Sequence, residues 1–109
     1  MATFVFDIDG TICNTIGSNY VDATPIMYRI EKINELFDAG NIIIFHTARG
    51  MGSSANNAEA AKKMWLDLTL KQLSQWNIRF HDLFFGKPSG DIYIDDKGLS
   101  DFTFFKDSH

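Results

Sequence analysis

The chain has 109 residues, a hydrophobic fraction of 45% and a formal net charge of −4. These values fit one globular domain over residues 1–109 with a single hydrophobic core, and they exclude the composition of a disordered chain. The acidic balance argues against general nucleic-acid binding, which depends on clustered Lys and Arg. Any anionic partner must therefore be held by local features of a site.

The chain contains a single cysteine, Cys13, so it cannot form an intramolecular disulfide. A lone cysteine suits a reducing compartment, and we expect a cytoplasmic protein. The first residues reach Asp7 without the basic region and long apolar stretch of a signal peptide. No run approaches the roughly 18 apolar residues of a membrane span, so no membrane association is expected.

The first predicted element is a buried strand over residues 3–8, a β-branched and aromatic run that stops at Asp9 and Gly10. Residues 10–24 lack sustained periodicity and predict a loop or small flap across the end of that strand. Thr24-Pro25 is typical of a helix start, with Thr as the N-cap and Pro at the first helical position. Apolar residues then recur at helical spacing, and Gly40 supplies the stop.

A second strand is predicted over residues 41–46, a continuous apolar run typical of parallel strands covered on both faces. Asn56 or Asn57 is expected to cap the next helix. The apolar face of that helix is approximated by Ala61, Met64, Trp65, Leu68, Leu73 and Trp76. Further strands are predicted within residues 78–85, 91–95 and 102–105. This alternation predicts an α/β fold, a doubly wound, Rossmann-like and mainly parallel sheet with helices on both faces.

Polar groups follow four of the predicted strands where each strand ends. They are Asp7-Ile8-Asp9-Gly10-Thr11, His46-Thr47-Ala48-Arg49, Gly86-Lys87-Pro88 and Asp95-Asp96. Ligands of such sheets bind outside the carboxyl ends of the strands, so these groups are expected along one edge. Each group alone is also explained by a turn or a solvated loop. Their concurrence favours a functional site.

The spacing of the first group points to a metal. Strand alternation would direct the carboxylates of Asp7 and Asp9 to the same side, roughly 6 to 7 Å apart. Asp95 and Asp96 nearby would add to the repulsion, which a divalent cation would offset. Oxygen ligands with room for waters and a phosphate favour Mg²⁺ over zinc or calcium.

These groups, in this order, resemble the motifs of the haloacid dehalogenase superfamily of phosphatases and phosphotransferases. Its first motif, Asp-x-Asp-Gly-Thr, is matched by residues 7–11, and its second, a Ser or Thr ending the next strand, by Thr47. The third motif is matched by Lys87-Pro88 and the fourth, an acidic pair, by Asp95-Asp96. More narrowly, Thr47-Ala48-Arg49-Gly50, Gly86-Lys87-Pro88 and Ile94-Asp95-Asp96-Lys97 resemble small bacterial and phage phosphatases associated with capsular polysaccharide biosynthesis.

The resemblance implies a magnesium-dependent phosphatase. Asp7 would be the nucleophile that forms an aspartyl-phosphate, and Asp9 would protonate the leaving oxygen and then activate water. Thr47 would hydrogen-bond a phosphoryl oxygen and Lys87 would offset its charge. The implied Mg²⁺ ligands are Asp7, the backbone carbonyl of Asp9, Asp95 and, directly or through water, Asp96. The expected substrate-binding residues are Gly10, Thr11, Ala48 and Arg49.

Several of these residues have a plainer alternative. The Thr47 hydroxyl would cap a turn at the end of its strand, and Arg49 would form a surface salt bridge. His46 is expected to face the opposite side of the strand as a satisfied core histidine. Cys13 lies close to the site, but simple packing is favoured over nucleophilic work because no base accompanies it.

The spacing between motifs leaves no room for the cap domain of larger superfamily members. Only 14 residues separate Gly10 from Pro25, and six separate Phe85 from Ile92. The site is therefore expected to be open, which suits a large phosphoester or closure by a second copy in a homo-oligomer. The expected partner is a small-molecule or carbohydrate phosphate ester, selected by the flap (residues 12–24) and the loop over residues 49–57.

Two other functions remain as alternatives. A phosphotransferase or a non-catalytic phosphate-binding or signalling protein would use the same scaffold. Receiver domains carry a similar residue set, but they place the acidic pair on the first strand and the phosphorylated Asp on a later one. The chain has the opposite order, which disfavours a receiver.

Overall fold

The structure is a computed structural model, and it describes residues 1–51, 57–86, 92–94 and 100–105. The strands are β1 (Thr3–Asp7), β2 (Cys13–Asn14), β3 (Thr24–Pro25), β4 (Ile42–Thr47), β5 (Asp82–Phe85) and β6 (Ile92–Ile94). The helices are α1 (Met27–Asp38), α2 (Ala58–Gln75) and α3 (Asp101–Phe105), with a 3-10 turn at Tyr20–Asp22.

Four of the strands form a parallel sheet in the order β5-β4-β1-β6. From β1 the chain passes through α1 to the neighbouring β4 and then through α2 to β5, whereas β6 joins β1 on its other side. This topology confirms the predicted small Rossmann-like α/β fold. Strand β1 lies where the winding reverses, and ligands of such sheets bind in the crevice at that point.

The core forms where both the sheet and the helices present apolar side chains. Val5, Phe6, Ile43 and Phe45 of the central strands are fully buried. Ile30 and Ile33 of α1 belong to the same cluster. Leu73, near the end of α2, and Trp76, which directly follows α2, belong to it as well. Burial of such side chains supplies about 1.5 to 3 kcal/mol each, so this cluster fixes the sheet on which the polar edge is built.

The segment between β1 and α1 contains a short hairpin, which agrees with the predicted flap. Strands β2 and β3 pair antiparallel, with Cys13 opposite Pro25 and Asn14 opposite Thr24. The predicted helix start at Thr24-Pro25 is wrong, because these two residues are taken by the hairpin. Helix α1 instead follows Ile26, whose N–H donates to the Ile12 carbonyl at 2.9 Å.

Helix α2 follows its prediction at the start and at most of the predicted apolar face, where Ala61, Leu73 and Trp76 are buried, but it departs from it at Met64. The Asn57 side chain accepts hydrogen bonds from the N–H groups of Glu59 and Ala60, as an N-cap does. Met64, expected on the apolar face, is 57% exposed. Two polar residues of the helix that were not predicted to face the interior, Thr69 and Gln72, are buried.

The predicted strand over residues 102–105 is also wrong, because this segment forms the short helix α3. The rings of Phe104 and Phe105 pack on the sheet. The Phe105 ring stacks on Phe6 with centroids 6.0 Å apart, and Phe104 meets Phe4 and Phe6 at 5.8 and 5.6 Å. No helix within the described ranges is long and apolar enough to cross a membrane.

Candidate active site

The carboxyl ends of β1 and β4 bring two of the predicted site residues to one edge of the sheet. Asp7 ends β1 opposite His46, and Thr47 ends β4 opposite Phe85. On the other side of β1, Ile94 ends β6 opposite Phe6. Lys87 follows β5 in the chain, and Asp95 and Asp96 follow β6, but all three lie outside the described residues.

A tight turn ends β1 at Asp7, one residue earlier than predicted. The Ile8 carbonyl accepts hydrogen bonds from the N–H groups of Thr11 and Ile12 at 3.1 and 3.0 Å, which removes it from the sheet. Gly10 has a φ of +84°, a conformation that favours glycine. Asp9 therefore lies in the turn and not on the strand, so the alternation argument does not describe where its carboxylate points.

The expected substrate-binding residues Gly10 and Thr11 use their N–H groups within this turn. Gly10 donates to the Cys13 carbonyl at 2.9 Å, and Thr11 donates to Ile8. The carbonyl of Thr11 accepts from the buried Arg29 guanidinium at 2.8 Å. The turn is thus held firmly from within, while Gly10 remains exposed.

The carboxylate of Asp9 forms a bidentate ion pair with Arg49. Arg49 Nε lies 2.9 Å from Asp9 Oδ2, and Arg49 Nη2 lies 3.0 Å from Oδ1. The Thr15 hydroxyl of the flap donates to the same Oδ1 at 2.6 Å. Charge-assisted, two-point pairs of this kind fix orientation as well as energy. The Asp9 side chain is 24% exposed, so it lies at the border between the interior and the edge of the sheet.

The alternative for Arg49 was a surface salt bridge. Arg49 does form a salt bridge, but the arginine is buried, so its predicted place at the surface is wrong. Its Nη1 donates to the Thr69 hydroxyl at 3.2 Å and to Gln72 Oε1 at 2.5 Å, and the Tyr20 ring lies 5.0 Å from its guanidinium carbon. Thr69 and Gln72 are three residues apart on α2, the spacing that places two side chains on one helix face. A direct contact between this guanidinium and a substrate would require it to leave these partners.

The second motif forms a turn after β4. The Thr47 hydroxyl accepts a hydrogen bond from the Arg49 N–H at 3.1 Å, so the turn-capping alternative describes what this hydroxyl does here. Because this bond uses the oxygen as acceptor, the hydroxyl proton is left to donate to another oxygen. Ala48 is exposed at the turn, and His46 is partly buried on the strand face opposite Thr47, as predicted.

Gly50 completes the second motif for two independent reasons. Its φ is +76°, within a turn closed by a bond from the Met51 N–H to the Ala48 carbonyl. A Cβ at this position would also overlap the Trp65 ring, at 2.7 Å from Nε1. The turn therefore packs directly against α2 at Gly50, with no room for a side chain.

Cys13 is inert in this setting. Burial raises the pKa of its thiol to about 11, and its sulfur contacts the Ile8 carbonyl and Asp9 Oδ1 at 3.6 Å. A thiol this protonated at neutral pH is a poor nucleophile and a poor metal ligand. The packing role favoured for Cys13 agrees with this.

The donor set at the edge of the sheet suits a hard cation. Asp7 supplies a carboxylate, and Asp9, whose own carboxylate is committed to Arg49, is left with its backbone oxygen as the donor for a metal. Oxygen donors of this kind fit Mg²⁺. Within the ranges that the structure describes, no three His, Cys, Asp or Glu side chains form a metal-binding cluster.

Sequence reasoning missed Thr15, Thr69 and Gln72 as parts of this site. Thr15 lies six residues from Asp9, and Thr69 and Gln72 lie 20 and 23 residues from Arg49. A buried arginine needs several acceptors, so two polar residues at helical spacing on an otherwise apolar face would have been the signal. That signal has meaning only once Arg49 is known to be buried.

No family model and no curated protein sequence matches the chain. Two solved structures are similar to it. A structural-genomics target from Vibrio cholerae is 26% identical with a TM-score of 0.81, and the match covers 99% of this chain and 90% of that one. The D,D-heptose 1,7-bisphosphate phosphatase from B. bronchiseptica, crystallised with magnesium and phosphate, is 15% identical with a TM-score of 0.54, over 79% of this chain and 50% of that one. These likenesses show that the chain shares the α/β fold of these two proteins.

Proposed function

We propose that the chain is a magnesium-dependent phosphohydrolase that cleaves phosphate monoesters through an aspartyl-phosphate on Asp7. The observation that carries the proposal is the position of Asp7 at the carboxyl end of β1, between β4 and β6, where the winding of the sheet reverses. Ligands of such sheets bind in this crevice, so a phosphate ester bound there would lie beside Asp7. The similar B. bronchiseptica protein, a phosphatase crystallised with magnesium and phosphate, supports the same assignment.

The chemistry of the first step asks for an oxygen nucleophile and donors around the phosphoryl group. A carboxylate oxygen of Asp7 would attack phosphorus in line with the leaving oxygen, and the ester bond would break as the new bond forms. Bound Mg²⁺, held by Asp7, the carbonyl of Asp9 and the acidic pair Asp95-Asp96, would neutralise charge on the phosphoryl oxygens. Thr47 would donate its hydroxyl proton to one of these oxygens, and Lys87 would offset their charge.

Asp9 would serve proton transfer in both steps. It would protonate the leaving oxygen and then take a proton from the water that hydrolyses the aspartyl-phosphate, a role commonly worth roughly 10²- to 10⁴-fold. Its carboxylate is held by Arg49 and Thr15, so one of its oxygens must turn towards the edge of the sheet to act. We therefore propose that Arg49 orients Asp9, in place of the expected contact with the substrate.

A carbohydrate phosphate is the first substrate to test, since the similar B. bronchiseptica protein acts on a heptose bisphosphate. The panel contains sugar phosphates, nucleotides and a 3′-phosphorylated oligonucleotide, each with and without Mg²⁺. Release of phosphate to water supports a hydrolase, and transfer to an added alcohol or sugar supports a phosphotransferase.

Three variants separate the roles. Asp7→Asn should abolish turnover with the fold intact, and Asp9→Asn should still form aspartyl-phosphate but release it slowly. Asp67→Asn, an exposed carboxylate on α2, serves as the control and should keep wild-type rates. Retained turnover in Asp7→Asn would reject the assignment.

A further inference from the structure

The side-chain amide of Gln72 lies between the buried Arg49 and the flap. Its Oε1 accepts from Arg49 Nη1 at 2.5 Å, and its Nε2 donates to the backbone carbonyl of Tyr20 at 2.6 Å. Gln72 is only 5% exposed. One side chain of α2 therefore connects the partner of Asp9 to a segment 52 residues away in sequence.

The Gln72 amide satisfies both neighbours, because it carries an acceptor and a donor at its end. A guanidinium offers donors and no acceptor, and a backbone carbonyl offers an acceptor and no donor, so Gln72 must present oxygen to one and nitrogen to the other. Carboxylate or thioether side chains of similar length would lose one or both bonds. A buried polar group without a hydrogen-bond partner destabilises the folded state. Separation of the Gln72 amide from the Tyr20 carbonyl is therefore unfavourable.

The flap also contacts Asp9 directly. The Thr15 hydroxyl donates directly to Asp9 Oδ1, and the Tyr20 ring lies both over Arg49 and edge-on to Trp65, with ring centroids 4.9 Å apart. The position of the flap and the orientation of the Asp9 carboxylate are thus joined at two points. Gln72 holds the Nη1 side of Arg49, which leaves Nε and Nη2 facing Asp9.

We propose that Gln72 is a positioning residue that links the flap to Asp9 through Arg49. Its amide keeps the guanidinium and the Tyr20 segment in one arrangement, and this arrangement sets the direction of the Asp9 carboxylate. The catalytic part of this inference rests on the proposed function. Loss of the amide should loosen the flap and slow the step that Asp9 serves, the hydrolysis of aspartyl-phosphate, more than it weakens substrate binding.

The test compares Gln72→Met with Gln75→Met, the same substitution at an exposed position of the same helix. Hydrogen exchange of the flap amides is measured by mass spectrometry, and kcat, KM and the steady-state fraction of phosphorylated protein are measured with p-nitrophenyl phosphate and Mg²⁺. In Gln72→Met the flap should exchange roughly tenfold faster, which corresponds to the loss of one buried hydrogen bond. Its kcat and KM should fall together by a similar factor, so that kcat/KM changes by less than about twofold, and the phosphorylated fraction should rise, because the slowed step follows formation of the aspartyl-phosphate.

A second variant keeps the test independent of one substitution. Gln72→Glu retains an acceptor for Arg49 and removes the donor to Tyr20, so the flap should exchange faster in this variant too. Gln75→Met should match the wild type in every measurement.

Flap exchange and phosphorylated fraction at control levels in Gln72→Met would overturn the proposal. A loosened flap with unchanged kcat and phosphorylated fraction would overturn it as well, because Gln72 would then be structural only. A wild-type chain without any turnover would refute the proposed function instead. The link between Gln72 and the flap would then be tested by the exchange rates of the flap amides alone.

Discussion

The buried pair of Arg49 and Asp9 should contribute far more to stability than a surface pair of the same geometry, and the chain contains both. Arg79 forms a bidentate pair with Asp38, at 3.0 and 2.7 Å, whose side chains are 47% and 60% exposed. The corresponding side chains of Arg49 and Asp9 are 0% and 24% exposed. We therefore compare Arg49→Met with Arg79→Met.

The expected difference follows from what each substitution leaves behind. Without Arg49, Asp9 keeps a mostly buried charge that lacks its partner, and Thr69 and Gln72 lose a donor. Breaking a buried pair in this way costs about 3 to 5 kcal/mol, whereas an exposed pair contributes about 0 to 1 kcal/mol. Against a total stability of about 5 to 15 kcal/mol for a domain, Arg49→Met should remove a large share of the free energy of unfolding and Arg79→Met should hardly affect it.

The assay is urea unfolding followed by the fluorescence of Trp65 and Trp76, with the slope compared between variants to check that the same surface unfolds. A double variant, Asp9→Asn with Arg49→Met, should recover part of the loss, because an amide is less costly to bury unpaired than a carboxylate. Equal losses for Arg49→Met and Arg79→Met would refute the reasoning.

Three further changes test single features of the fold. Gly50→Ala should destabilise by about 1 to 3 kcal/mol through backbone strain and overlap with Trp65; Gly17→Ala, at φ +57° with no neighbour within 4 Å of an added Cβ, controls for strain alone, and equal losses in urea unfolding would exclude the overlap. Burial raises the pKa of Cys13 from 9.0 to about 11, so the protonated thiol favours folding below pH 9 and this contribution is lost as the pH rises to about 11. Cys13→Ala should therefore reduce the fall in the free energy of unfolding between pH 9 and 11, and an unchanged pH dependence would contradict the burial argument. Asn57→Ala should cost about 1 kcal/mol in thermal unfolding by removing the N-cap of α2, while Asn57→Asp should keep it, and equal losses would show that the cap is not the cause.

The parts of the fold that were predictable from sequence depend on local signals. The apolar run of β4 identifies a buried strand, Asn57 caps α2 as expected, and the stop at Gly40 agrees with its φ of +95° after α1. Each of these signals acts within a few residues of the element that it defines. The strand that carries Asp7 was predicted from its apolar run, although β1 ends one residue earlier than that run indicates.

The parts that were not predictable depend on contacts between distant segments. Thr24-Pro25 carries a helix-start pattern, but pairing with β2 determines its conformation. The aromatic run of α3 has the composition of a strand, yet packing of Phe105 on Phe6 favours a helix there. Local propensity is a weak guide where tertiary packing decides between the two.

The candidate site also contains residues that could be predicted from sequence and contacts that could not. The motif residues Asp7, Asp9 and Thr47 are recognisable from sequence, because their residue types and order carry the resemblance. The pair between Asp9 and Arg49 joins residues 40 positions apart, and only the fold brings them together. The burial of Arg49 likewise depends on α2 lying across the turn, which no local pattern shows.

The central claim is that Asp7 accepts the phosphoryl group. The most direct measurement incubates wild-type chain and Asp7→Asn with radiolabelled acetyl phosphate and Mg²⁺, quenches in acid and maps the label by peptide mass spectrometry. We expect label on the peptide that contains Asp7 in the wild type, sensitive to hydroxylamine, and none in Asp7→Asn or without Mg²⁺. Label on another residue, or undiminished labelling of Asp7→Asn, would contradict the account.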